Sequence, residues 1–189
     1  MNTAFFRTFY IFLINLTQSD DLGRIVIPKE IRKTLRIKDG DPMEIYTSKE
    51  GEVIFRKYSL MGGVSDLAQF ACEALHKATG RAAVVTDRDA CVAVAGVARR
   101  ELADKLLSEP LERSIQARQL YQVGGGQPPV PVSDGNARLY VVCAAPILSE
   151  GDVLGAVLFA GTEEELTCGE VEVKLLQAMS GFLGRQMED

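Results

Sequence analysis

The run Asp20-Asp21-Leu22-Gly23-Arg24-Ile25-Val26-Ile27-Pro28-Lys29 leaves the backbone little choice. Gly23 beside two acids marks a turn, Ile25–Ile27 reads as a short strand, and Pro28 suits the first turn of a helix, where its missing N–H costs nothing. The spacing predicts that helix over Lys29–Leu35. Ile31 and Leu35 then lie one turn apart on the buried side, and Arg32, Lys33 and Arg36 project away from it. Asp39-Gly40-Asp41-Pro42 is a second turn. Met43–Tyr46 and Val53–Lys57 are predicted as strands joined through Lys49-Glu50-Gly51. A module of this size with one short helix buries too little surface to be comfortably stable alone. Strands shared between two subunits remove the difficulty, so dimerisation is expected on physical grounds.

Charge is divided along the chain. The net charge is −5, yet residues 1–58 hold ten Lys/Arg against eight Asp/Glu, while residues 59–189 hold eleven against eighteen. Bulk charge therefore gives the N-terminal part little pull on a polyanion, and any such contact must come from local clustering. That clustering exists: Arg24, Lys29, Arg32, Lys33 and Arg36 stand between Leu22 and Ile37 against the single acid Glu30. Arginine can bridge guanine O6 and N7 or fork a phosphate, whereas lysine supplies a mobile point charge. A charge run by itself is more often a solvated face. In a dimer, however, these groups are doubled and spaced for two half-sites.

Met1–Asn15 is rich in Phe, Ile and Leu but is shorter than the roughly 20 apolar residues a membrane span needs. Arg7 makes a thin charged start for a signal peptide, but no small-residue cleavage site follows. An extra strand or helix buried in an oligomer, or an irregular gene start, accounts for the segment better. The four cysteines, Cys72, Cys91, Cys143 and Cys168, include no C-x-x-C pair, and His76 is the single histidine, without an evident partner. No metal ligand set or cofactor motif is recognisable, and isolated thiols in an acidic chain suit a reducing cytoplasm.

After Ser59-Leu60-Met61-Gly62-Gly63 the pattern becomes helical. Ser65 can cap a helix from Asp66 to Thr79, with Gly80 as its stop. Ala82–Thr86 and Cys91–Ala95 are strands around the polar turn Asp87-Arg88-Asp89, and helices are predicted at Arg99–Leu107 and Pro110–Gln119. Leu139–Pro146 and Val153–Ala160 are strongly apolar strands, and a last amphipathic helix spans Gly169–Gln186. Helices packed on antiparallel strands describe an α+β sensor-type domain. Gly124–Gly126 is not a phosphate loop, because no Gly-Lys-Ser/Thr follows; it reads as a flexible loop or a lid.

The motif D-D-L-G-R-I-V-I-P-K-E-I-R-K-T-L-R-I, with G-D-P-M-E-I-Y after it, resembles the swapped-hairpin module of the AbrB family of transition-state regulators. Val64–Met187 resembles the GAF fold carried by a longer member of that group, a class of small-molecule sensors. The resemblance implies an α+β protein: an interleaved homodimer of β-hairpins with a short helix, followed by a GAF-like antiparallel sheet with flanking helices. The domains would be 1–19, an atypical segment with an altered first strand; 20–58, DNA-binding and dimerising; 59–63, a linker; and 64–187, the sensor. By position, the resemblance assigns DNA contact to Arg24, Arg32 and Lys33. Lys29 and Arg36 join them as phosphate contacts from the reading of the residues alone. The implied protein is a cytoplasmic, nucleoid-associated transcription regulator on AT-rich promoter DNA. It would be tetrameric through its sensor domains and answer to an unidentified small-molecule effector.

One departure matters. The family's first strand reads like G-I-V-R-R-I, whereas this chain has Ile14-Asn15-Leu16-Thr17-Gln18-Ser19. Thr17 stands where a DNA-contacting arginine is expected and Gln18 replaces another basic residue. Losing one charge per subunit removes two per dimer and flattens the salt dependence of binding. The alternative function is therefore a ligand-sensing oligomer that has lost DNA contact and acts through protein partners. Some GAF-fold proteins reduce methionine sulfoxide with cysteines, but Cys91 and Cys143 sit in apolar strands, as inert core thiols do. No nucleophile–base pair is visible, and no enzymatic activity is expected.

Overall fold

The computed structural model describes residues 21–57, 65–124 and 128–187. Thr17, Gln18 and the linker at 59–63 lie outside the described residues. The chain divides into two compact units, Met1–Tyr58 and Ser59–Asp189.

In the first unit Ile25 is a single bridge residue rather than a three-residue strand. Helix α1 spans Lys29–Thr34, and Leu35 caps its C-terminus. Strands β1 (Met43–Thr47) and β2 (Val53–Lys57) pair antiparallel, with Met43 opposite Lys57 and Thr47 opposite Val53. The buried side expected for α1 does not form within one chain: Ile31 is half-buried and Leu35 is 54% exposed. Nothing between Asp21 and Lys57 is buried. Leu22, Ile25, Val26, Ile45, Tyr46, Val53 and Ile54 are exposed as well.

The second unit is built on one antiparallel sheet. Helix α2 (Ser65–Thr79) leads to β3 (Ala82–Thr86) and β4 (Cys91–Ala95); the short helices α3 (Arg99–Leu102) and α4 (Glu109–Gln116) follow. Then come β5 (Tyr121–Gln122), β6 (Pro131–Ser133), β7 (Asn136–Ser149), β8 (Asp152–Gly161) and the terminal helix α5 (Glu170–Arg185). Strand order is β4-β3-β8-β7-β5, with β6 also on β7. The three inner strands, β3, β8 and β7, are largely apolar because both faces of the sheet are covered. Side-chain alternation then sorts them into two cores. Val85, Cys143, Val157 and Phe159 face α2 and α5 with Leu75, Leu176 and Leu183. Val84, Val141, Ala144 and Leu158 face Leu102, Leu107, Leu111 and Ile115.

Two predicted elements change length for identifiable reasons. The helix expected to run from Arg99 to Leu107 stops at Leu102, because Asp104 adopts a left-handed φ of 61°. The chain then pairs back on the β3–β4 turn: Leu106 bridges Ala90, and the Leu107 amide donates to the Asp89 carbonyl at 2.8 Å. Strand β7 runs on past Pro146 to Ser149. Its last β5 partner is Ala144, so the missing N–H of Pro146 removes no bond to that neighbour. The short strands β5 and β6 have no periodicity to betray them in the sequence.

Helix α5 reaches the sheet through a glycine. A Cβ on Gly184 would strike the carbonyl of Leu148 on β7, a backbone group that cannot swing aside. Gly184→Ala is expected to force helix and strand apart and to cost about 1–3 kcal/mol. Urea unfolding checks this, with Gly181→Ala, whose added methyl would meet open space, as the control.

Candidate nucleic-acid interface and sensor cleft

The basic cluster is positioned by three backbone devices. Gly23 takes φ +73°, a left-handed turn that most side chains resist, and it sets Arg24 on the exposed loop that follows. Helix α1 starts without a side-chain cap, and the Arg32 amide donates to the Pro28 carbonyl at 3.0 Å. The helix ends in a Schellman motif: the Ile37 amide donates to Arg32 at 2.8 Å and the Arg36 amide to Lys33 at 3.3 Å. That motif places Arg36 at φ 51°, where glycine is usual.

A tether from β2 holds this strained corner. Lys57 Nζ donates to the Arg36 carbonyl at 3.1 Å and pairs with Asp41 Oδ2 at 3.0 Å. The same oxygen accepts the Lys38 amide at 2.8 Å. Burial works against the charged Asp41 carboxylate, but the Lys38 amide and the Lys57 ammonium outweigh it and hold the carboxyl below its ordinary range. The cation that ends the hairpin thus fixes the turn leaving the basic helix.

Lys29 and Lys33 lie one turn apart on α1 and are exposed. Arg32, beside them, is 40% exposed and its Nη1 pairs with Asp39 Oδ1 at 3.0 Å. Arg36 is half-buried past the helix end. Four of the five cations therefore share one helix and its C-terminal turn, with Arg24 on the preceding loop. The sequence reading missed Lys57, Asp41 and Asp39. It took the two acids for turn residues, and their spacing to Lys57 and Arg32 carries no local signal.

In the second unit an open cleft of about 620 Å³ lies at the start of β3 and the end of β8, lined by Thr79, Arg81, Gly96, Thr162, Glu165 and Glu172 among others. Arg81 crosses it, its Nε donating to Glu172 Oε1 at 3.2 Å and its Nη atoms to the carbonyls of Glu165 (3.2 Å) and Thr167 (2.7 Å). Acceptance of backbone amide hydrogens at the α5 N-terminus is the main cause that holds the Glu172 carboxyl below its ordinary range, and Arg81 adds to it. His76 has a partner after all, Nδ1 lying 2.7 Å from the Arg81 carbonyl. Asp87 does not reach this cleft; its Oδ1 accepts the amides of Asp89 (2.8 Å) and Ala90 (2.7 Å), closing the β3–β4 turn. Arg88 donates to the Val153 carbonyl at 2.6 Å. Burial pushes the thiols of Cys72 and Cys91 up to about 12 and raises that of Cys143, so none is poised as a nucleophile at neutral pH.

These two units define a class: a transcription regulator with an AbrB/MazE-type N-terminal domain and a GAF-like C-terminal domain. Residues 63–188 match the family described as stage V sporulation protein T C-terminal, transcription factor, and residues 16–60 match the antidote-toxin recognition MazE family of bacterial antitoxins. The chain belongs to the stage V sporulation protein T family. It is 40% identical over 169 residues to stage V sporulation protein T of Bacillus subtilis, covering 89% of this chain and 94% of that one. It is 45% identical over 53 residues to the transition state regulatory protein AbrB of the same organism, covering 25% and 54%. Among solved structures, the PixJ GAF domain of Thermosynechococcus elongatus covers 70% of this chain and 89% of its own at 11% identity, TM-score 0.54. A methyl-accepting chemotaxis protein covers 65% and 87% at 15% identity, TM-score 0.51. These two likenesses establish the GAF-like fold of the second unit.

The Lys57 tether makes a prediction with a definite sign. A carboxyl whose folded pKa lies below its unfolded value contributes stability that is complete above the ordinary carboxylate range and is lost as pH falls through the depressed folded value. Lys57→Met removes the cation, raises the Asp41 pKa and moves that loss to higher pH. The N-terminal unit should also weaken by about 1–3 kcal/mol at neutral pH. Acid titration followed by amide NMR of residues 29–57 checks both effects.

Proposed function

We propose that the chain acts as a dimer that grips double-stranded DNA through Arg24, Arg32 and Lys33 of both subunits, with Lys29 and Arg36 as phosphate contacts. The observation that carries this reading is the pairing of an exposed basic helix with a hairpin whose apolar side chains no single chain covers. A second copy brings those apolar groups together and doubles the cations at once. Residues 20–58 form the DNA-binding and dimerising domain, 59–63 the linker and 64–187 the sensor. The sensor domains join dimers into tetramers and answer a small-molecule effector. The sites of action are AT-rich promoters, read through groove shape rather than base-specific side chains, and the setting is the cytoplasmic nucleoid. The protein regulates without catalysing a reaction. The alternative, a sensing oligomer without DNA contact, rests on Thr17 and Gln18, and no observation on the described residues favours it.

Gel-shift titration with the full-length chain tests the reading. Arg24→Ala and Arg32→Ala should each weaken binding to AT-rich duplex by about tenfold or more, two contacts being lost per dimer. The slope of log affinity against log salt should fall in both. Variants that bind like the parent would overturn the assignment.

A further inference from the structure

Between β8 and α5 the segment 162–169 is fastened mainly by side chains. Its one helical turn, Glu163–Glu165, is closed on itself: Glu165 Oε2 accepts the Thr162 amide at 2.9 Å and the Thr162 hydroxyl at 3.0 Å. Leu166 and Cys168 are half-buried and pack against the core, while the other residues of the segment are exposed. Side-chain donors tie it to the rest of the domain. Arg81 supplies three of these bonds, from Nη1 to the Glu165 carbonyl at 3.2 Å, from Nη2 to the Thr167 carbonyl at 2.7 Å, and from Nε to Glu172 Oε1 at 3.2 Å in the first turn of α5. Gln122 Nε2 donates to the Cys168 carbonyl at 3.2 Å, and the Tyr140 hydroxyl to Glu163 Oε1 at 3.2 Å.

Arg81 is a fixed post. Its amide donates to Thr79 Oγ1 at 3.2 Å, that hydroxyl donates to the Leu75 carbonyl at 2.8 Å, and its own carbonyl accepts from His76 Nδ1 at 2.7 Å. The backbone of Arg81 is therefore tied on both sides to the last turn of α2. Glu172 completes the fastening. Its second oxygen accepts the Gly169 amide at 3.1 Å, so one carboxylate joins the guanidinium to the residue that opens α5. We propose that residues 162–169 form a strap latched by Arg81, which opens as a unit and frees the first turn of α5 while the sheet stays folded. A planar guanidinium meets its acceptors in fixed directions, so once it lets go all three bonds are lost together. Few buried apolar contacts remain to hold the strap, whereas β8, which leads into it, is buried over most of its length.

The consequence is local and mechanical. The strap contributes Thr162, Glu165 and Thr167 to the wall of the Arg81 cleft. Opening removes that part of the wall and releases the start of α5 in one step. Beyond its first turn α5 carries Leu176 and Leu183 into the core, so the body of the helix stays seated. The sensor thus holds a two-state element at its strand ends, and its operation does not depend on the DNA contacts of the first unit.

Amide hydrogen exchange on the native full-length chain reads the strap directly. The amides of Thr162, Glu165, Thr167 and Gly169 are each hydrogen-bonded in the closed form. They should share one protection factor, lower than that of the β8 amides. Arg81→Gln should lower it further by about tenfold or more, the scale of a lost charge-assisted bond. Arg81→Lys should do nearly the same, because an ammonium lacks the fork that meets three acceptors. Iodoacetamide labelling with peptide mapping gives a second readout. Cys168, on the strap, should react about tenfold faster in Arg81→Gln, while Cys72 and Cys91, buried in α2 and β4, stay protected. If Arg81→Gln fails to fold, Arg81→Lys and the exchange pattern of the parent chain carry the test. Strap protection equal to that of β8, unchanged exchange in the variants, a lysine that keeps the parent's protection, or Cys72 and Cys91 reacting in step with Cys168 would overturn the proposal.

Discussion

Eight large apolar side chains between Leu22 and Ile54 remain exposed in a single chain, on the loop before α1, at its C-terminal cap and on the hairpin. Burying such groups is worth about 1.5–3 kcal/mol each, and this unit realises almost none of it alone. Among the described residues of this unit, one six-residue helix and ten strand residues cannot enclose a core, whatever their composition. That constraint explains why Leu35, aligned with Ile31 on one helix face, is solvent-exposed, and why a basic helix so short can be held at all. What orders it within the chain is polar: the Schellman turn, the Lys57 tether and the ionised Asp41. Those bonds fix direction, and the missing apolar burial has to come from outside.

The second unit solves the opposite problem. Its sheet has two faces, each with a full complement of apolar side chains, and both are covered by the chain's own helices and loops. The covering on the second face is dense, because Leu102, Leu107, Leu111 and Ile115 all point into it. A small molecule that enters there has to displace native side chains, at a cost similar to opening a packed core. An open space among the described residues lies at the strand ends around Arg81, whose guanidinium is already engaged with Glu172 and two carbonyls. A ligand at that place would have to compete with Arg81 for the same acceptors, which hold the start of α5.

Much of this was legible in the residues. The short apolar runs at Val53–Lys57, Ala82–Thr86 and Cys91–Ala95 marked three strands to the residue, and the helical spacing of Leu67, Ala71 and Leu75 marked α2. These are cases where local pattern and burial agree. The sequence was silent where long-range pairing decides. Leu106 fits a helix by spacing but is taken by Ala90. Strand β5 has two residues and exists because β7 offers it an edge. The five basic residues were found by clustering, but the tether that orients them joins Lys57 to Arg36 across twenty-one residues.

The electrostatics of the basic helix favour exchange over pre-formed readiness. Arg32 is occupied by Asp39, an acid that is 96% exposed. An ion pair so open is worth about 0–1 kcal/mol, because water and salt screen it and both side chains lose freedom to hold it. A phosphate offers the same guanidinium a doubly forked partner and releases condensed counterions when it binds. A phosphate would therefore displace the carboxylate at small cost. Asp39 also subtracts a charge from a surface that has few to spare. The N-terminal region carries ten cations against eight acids, so its attraction to a polyanion lies in where the charges stand and not in their sum. A dimer that sets two such helices side by side doubles the local field while leaving the net charge of the whole protein acidic.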